Sequence, residues 1–85
     1  RAMEGGVQAV SPTHRLDVRG YRCPIPVGET RQALKDLDQG HVLEVRFDDP
    51  EALEDLPPML ARHGHRMLTV EEVAGDWRMC IEVIG

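Results

Sequence analysis

The chain has 85 residues, 41% of them hydrophobic, with 15 acidic and 10 basic side chains and a formal charge of −5. One compact domain of this size buries only about 60% of its unfolded surface, which excludes a deep cofactor cleft alongside a substantial core. The acidic balance argues against nucleic-acid binding, which needs a basic stripe, and no apolar run approaches the roughly 20 residues of a membrane-spanning helix.

Residues 1–13 are polar, contain Gly and Pro and show no apolar period, so they are read as a flexible N-terminal tail ahead of a single domain over 14–85. They lack the pattern of a signal peptide, and Met3 is expected to be the natural start. The cysteines are two, Cys23 and Cys80. A secreted domain of this size usually carries more, paired as staples, so reduced thiols and a cytoplasmic location are expected.

Arg15-Leu16-Asp17-Val18 alternates and predicts a short first strand. A loop with Gly20 as its turn residue leads to Cys23. From Pro26 to Leu37 the period becomes helical, with Val27, Thr30, Leu34 and Leu37 on one face and Ala33 widening it. Pro24 or Pro26 fits a first helical turn, and Gly40 closes the helix. Val42–Phe47 predicts a second strand with Leu43, Val45 and Phe47 on one side. Asp49 is expected to cap the next turn, with Pro50 in its first position. Pro57 and Pro58 conflict with one continuous helix from residue 50. A short turn followed by a separate helix over Leu56–His63 is therefore expected. His65–Val73 predicts a third strand with Leu68 and Val70 inward. Ala74-Gly75-Asp76 predicts a hairpin turn, and Trp77–Ile84 the last strand, with Trp77, Met79, Ile81 and Val83 on one face.

The order β-α-β-α-β-β predicts an α/β (α+β) two-layer sandwich. Two helices cover one face of a four-stranded mixed sheet and leave the other face open to water.

The run Leu16 to Val27 contains Cys23-Pro24-Ile25-Pro26 after a glycine-containing loop. Gly40 precedes the second strand and Asp48-Asp49-Pro50 follows it, with Asp55-Leu56-Pro57 and Gly64-His65 further on. Together these resemble the signature of the TusA/SirA-like sulfur-carrier family over about residues 15 to 84. The resemblance implies a two-layer α/β sandwich and sulfur relay, with Cys23 carrying a persulfide. It implies a cysteine desulfurase or rhodanese-like donor and a downstream acceptor protein, in tRNA thiolation, cofactor assembly or sulfur oxidation. No cofactor, membrane or direct nucleic-acid partner is expected. Gly28-Glu29 departs from the family's usual bulky apolar pair and is expected to loosen the first helical turn or alter the partner surface.

Sulfur relay needs a thiolate, and a free cysteine has a pKa of about 8.5. Cys23 stands where a helix begins, and the positive end of the helix favours an anion there. A lowered Cys23 pKa is therefore expected, with Arg22 adding to it. Pro24 and Pro26 stiffen the presenting loop. Arg31 and Lys35 are four apart on the first helix and, with Arg22, suggest a docking patch for an acidic donor surface. Asp48, Asp49 and Asp55 are read as capping and turn residues. His63 and His65 do not match a zinc spacing, so no metal is expected. Cys80 is read as a bystander thiol on the open sheet face. The rival readings are a regulatory or protein-binding module without sulfur chemistry, and a thiol redox protein using Cys23 and Cys80. The second needs the two Cα atoms within about 7 Å.

Overall fold

A computed structural model describes residues 11–84. Of the expected tail, residues 1–10 lie outside the described residues, while the Thr13 N–H donates to Val42 O at 2.9 Å. The elements are β1 (His14–Asp17), α1 (Ile25–Lys35), β2 (Val42–Phe47), α2 (Pro50–Arg62), β3 (Arg66–Val73) and β4 (Asp76–Glu82). The sheet order is β1-β2-β4-β3. β1 and β2 are parallel, and β4 runs antiparallel to both β2 and β3. The expected mixed four-stranded sheet under two helices is what forms.

The core follows the alternation of the strands. Leu43, Val45 and Phe47 from β2 and Met79, Ile81 and Val83 from the β4 segment bury against Leu34 of α1 and Ala52, Leu56, Met59 and Leu60 of α2. Phe47 and Trp77 pair across β2 and β4 with stacked rings 5.8 Å apart.

Three expectations need correction. First, α2 is one unbroken helix through Pro57 and Pro58. The two prolines remove bonds to the carbonyls of Leu53 and Glu54, which belong to half-buried and exposed residues. Each interior proline costs about 3 kcal/mol. Leu56, Met59 and Leu60 are all buried and each gains roughly 1.5–3 kcal/mol by it. Apolar anchors on both sides of the proline pair therefore offset a cost of similar size.

Second, a bulge between Met67 and Thr69 breaks the simple alternation of β3. Met67 and Val70 then face the same side as Ile81 and Met79, yet both stay 41% exposed because β3 is an edge strand. Leu68 is half-buried at the bulge. Third, the centre of the helix-free sheet face is closed: Glu44 is 8% exposed and Cys80 5%. Charged side chains pair across that face, Arg15 with Glu44 at 3.6 Å and Arg66 with Glu82 at 3.8 Å.

Gly28 causes no break in α1, and a Cβ there would meet nothing within 4 Å. The β3–β4 hairpin turns through Ala74 (φ 52) and Gly75 (φ 92). Two consecutive positive φ values suit Asn-Gly, and alanine is costly in the first of them. Ala74→Asn is expected to stabilise the domain by about 0.5–1 kcal/mol. An unchanged urea midpoint would contradict this.

Candidate functional site

The loop from Val18 to Pro24 leaves the end of β1 and is tied down along its length. Asp17 accepts from the Arg19 guanidinium at 2.7 Å, which holds its carboxyl at about 2. Arg19 also reaches Asp76 at 3.4 Å. The Gly20 N–H, at φ 90, donates to Asp48 Oδ1 at 3.0 Å. The Arg22 guanidinium stands 3.6 Å from the same carboxylate. The Cys23 N–H donates to Asp49 Oδ2 at 2.7 Å.

Asp49 has a double role. Its other oxygen accepts from the Glu51 N–H at 3.1 Å and caps α2 as expected. One carboxylate, 3% exposed, therefore fixes both the start of α2 and the backbone of Cys23. Pro24 is the N-cap residue of α1 and the Cys23–Pro24 peptide is cis. Pro26 is buried, and its carbonyl accepts from Thr30 Oγ1 at 2.7 Å.

The half-buried Cys23 thiol donates to Asp55 Oδ2 at 3.4 Å. This bond stabilises the protonated sulfur and is the main reason the thiol pKa lies above its ordinary value. Partial burial adds to the effect, as does the negative field of Asp55, Glu51 and Asp49. The expected lowering is thus reversed. The positive end of α1 is present, but three carboxylates from α2 and its cap outweigh it. Arg22 does not help, because its guanidinium is turned to Asp48.

Cys23 opens into a cleft of about 600 Å³ between α1 and α2. Pro24, Val27 and Arg31 line it from α1 and its cap. Asp55, Pro58, Met59, Arg62 and His63 line it from α2 and its end. Of the basic residues expected near the thiol, Arg31 takes part, while Lys35 lies outside the cleft and Arg22 on the Asp48 side. Asp55, Arg62 and His63 were not anticipated as neighbours of Cys23. The spacing of 55, 58–59 and 62 on one helix face carries the signal, but it becomes visible only once α2 is continuous.

Cys80 sits between Glu44 and Thr69 in register, on the sheet face opposite Met79 and Ile81. It is free, as is Cys23, and its register puts it on the face away from the helices, whereas Cys23 lines the cleft between them. No group of three or more potential metal ligands occurs among the described residues. His65 instead accepts from the Ile84 N–H at 3.2 Å. No helix among the described residues is long and apolar enough to cross a membrane.

The sequence profile of the family described as Sulfurtransferase TusA matches residues 14–83. A protein of Thermotoga maritima proposed as a sulfur carrier is 42% identical over 72 residues, spanning 84% of this chain and 91% of its own length. The protein YedF of Escherichia coli K12, also proposed as a sulfur carrier, is 33% identical over 73 residues, spanning 86% and 95%. The crystal structure of a SirA-like protein from Desulfitobacterium hafniense superposes with a TM-score of 0.75 at 27% identity, covering 86% of this chain and all of that one.

Proposed function

The chain belongs to the TusA sulfurtransferase family, and on that premise we propose that it carries sulfur as a persulfide on Cys23 between a donor and an acceptor protein. The observation that carries this reading is the placement of the Cys23 thiol. It is unbridged, at the mouth of a cleft, on a backbone held by Asp49. In the loading step the Cys23 thiolate attacks the outer sulfur of a donor cysteine persulfide. The donor S–S bond breaks, a new one forms on Cys23, and the donor cysteine leaves as a thiolate. Unloading is the same exchange with an acceptor thiolate. No net oxidant is needed in either direction.

Asp55 gives this carrier a resting state. In the free protein the thiol proton is directed at Asp55 Oδ2, so the sulfur is mostly neutral and slow to react with stray electrophiles. A donor that disrupts or neutralises this contact on docking would release the nucleophile where it is needed. Two of the large apolar side chains left exposed, Tyr21 and Ile25, flank Cys23 in the chain and offer docking area. The donor is proposed to be a cysteine desulfurase or a rhodanese-like protein, and two free thiols suit a reducing cytoplasm.

Intact-mass analysis tests the reading. After incubation with a cysteine desulfurase and cysteine, the native chain is expected to gain one sulfur that thiol reductants remove. Cys23→Ser should gain none. A gain in the variant equal to that in the native chain would remove Cys23 from the role. The redox reading has no support from the geometry, since Cys23 lines the cleft between the helices and Cys80 lies on the helix-free face of the sheet.

A further inference from the structure

The cleft beside Cys23 has a direction. Along α1 it is lined by residues 24, 27 and 31, and along α2 by 55, 58–59 and 62. Both helices follow strands that are parallel to each other, and both run away from the thiol. At 1.5 Å per residue, the helical step from the Pro24 cap to Arg31, or from Asp55 to Arg62, is about 10 Å, and the Cys23 sulfur ahead of Pro24 extends the groove to about 12 Å. One end holds Cys23 and Asp55, with Asp49 and Glu51 adding negative field there. The floor is Val27 and Met59, with Pro58 beside them. The other end holds Arg31, Arg62 and His63.

The arginines at the far end stand out against the other arginines among the described residues. Arg15, Arg19, Arg22, Arg46, Arg66 and Arg78 each have a carboxylate within 4.0 Å. Among the described residues Arg31 and Arg62 have none. In a chain of net charge −5, two arginines without a carboxylate partner among the described residues therefore line the groove that begins at the thiol, one from each helix. The two ends are separated by about one Debye length at 0.1 M salt, so a ligand senses them as distinct.

We propose that this groove receives an extended segment of the partner protein, with the partner's sulfur-bearing cysteine at the Cys23 end and a carboxylate about four residues away between Arg31 and Arg62. About 12 Å is the reach of three to four extended residues, and the apolar floor suits a side chain between the two ends. A carboxylate directly beside the partner cysteine is disfavoured, because it would meet Asp55. The proposal rests on the sulfur-carrier reading and adds to it what the partner must look like.

The test uses thiol–disulfide exchange and needs no persulfide. Three pentapeptides are prepared as mixed disulfides with thionitrobenzoate: acetyl-Cys-Ala-Leu-Ala-Glu-amide, its Lys-ended counterpart, and acetyl-Cys-Glu-Ala-Leu-Ala-amide. The Cys23 thiolate attacks the peptide sulfur, and coloured thionitrobenzoate leaves. At low salt the Glu-ended peptide is expected to react roughly tenfold faster than the Lys-ended one, and faster than the peptide with Glu beside Cys. The doubly reversed variant Arg31→Glu, Arg62→Glu should invert the Glu/Lys preference. A urea midpoint close to the native one shows that the fold is intact, and because each chain's preference is read as a ratio of two peptides on the same thiol, any change in thiol ionisation cancels from it. Equal rates for all three peptides, or a preference that survives charge reversal, would overturn the proposal. Equal rates for the two Glu peptides would mean that the arginines attract any anion without regard to segment length, and would overturn it as well. Persulfide loading is read separately by mass, so failure of the groove and failure of the carrier reading give different results.

Discussion

Asp55→Asn is expected to make Cys23 more reactive, the opposite of what removing a conventional base would do. In the native chain the thiol donates to Asp55 Oδ2 at 3.4 Å, and that contact is the largest cause of its raised pKa. Asparagine keeps the shape and an acceptor oxygen but removes the charge. The thiolate then becomes cheaper to form, and the pH profile of iodoacetamide alkylation should move to lower pH. At neutral pH the variant should alkylate several-fold faster, and the two profiles should meet at high pH, where both sulfurs are ionised. Cys23→Ser serves as the blank for any reaction at Cys80. The same raised pKa links folding to pH. The folded thiol holds its proton more tightly than the unfolded one, so this contribution to stability is complete below the ordinary thiol value of about 8.5. It is lost as pH rises through the folded thiol's own titration, and Asp55→Asn should weaken that dependence. A superimposable alkylation profile for native chain and variant would remove Asp55 from any control of the sulfur.

The largest loss of stability is expected from Phe47→Ala. Phe47 is fully buried, stacks on Trp77 and is the last residue of β2. Removing a buried phenylalanine ring costs about 3–5 kcal/mol from lost burial and the cavity left behind. Whole domains are stable by only about 5–15 kcal/mol, so the variant should lose between about a fifth and all of its stability. The effect should reach the site too. Asp48 and Asp49 follow Phe47 directly, and they hold Gly20, Arg22 and Cys23. In urea melts the midpoint should drop sharply. Cys23 alkylation should turn faster before global unfolding, as the Asp49 and Asp55 contacts loosen. An unfolding free energy within about 1 kcal/mol of the native value would mean that the core closes around the missing ring far better than buried phenylalanines usually allow.

The correction at α2 shows where reading from local signals ends. Pro57-Pro58 is a strong helix breaker in any isolated peptide. The domain overrides it because Ala52 and Leu56 on one side, and Met59 and Leu60 on the other, all pack into the same core. That override then sets the site. A helix broken at residue 57 would not hold Asp55, Met59 and Arg62 along one wall of the cleft.

The sequence by itself determined the elements whose signals are local. The alternation of Leu43, Val45 and Phe47, and of Trp77, Met79 and Ile81, was sufficient to orient β2 and β4 in the sheet. Cys23 ahead of Pro24 at the start of α1 marked the candidate position, and Asp49-Pro50 marked the cap of α2. These features depend on periods of two or about 3.6 residues and on backbone preferences, which neighbours along the chain supply. The tertiary structure alone decided the state of the sulfur. Cys23 and Asp55 are 32 positions apart, and no local period connects them. Their meeting follows from two helices lying side by side over a sheet in which β1 and β2 are parallel. The sign of the thiol's pKa shift is a sum of charges at distances that only that packing sets, and here the carboxylates brought in by α2 outweigh the helix end that the sequence displays.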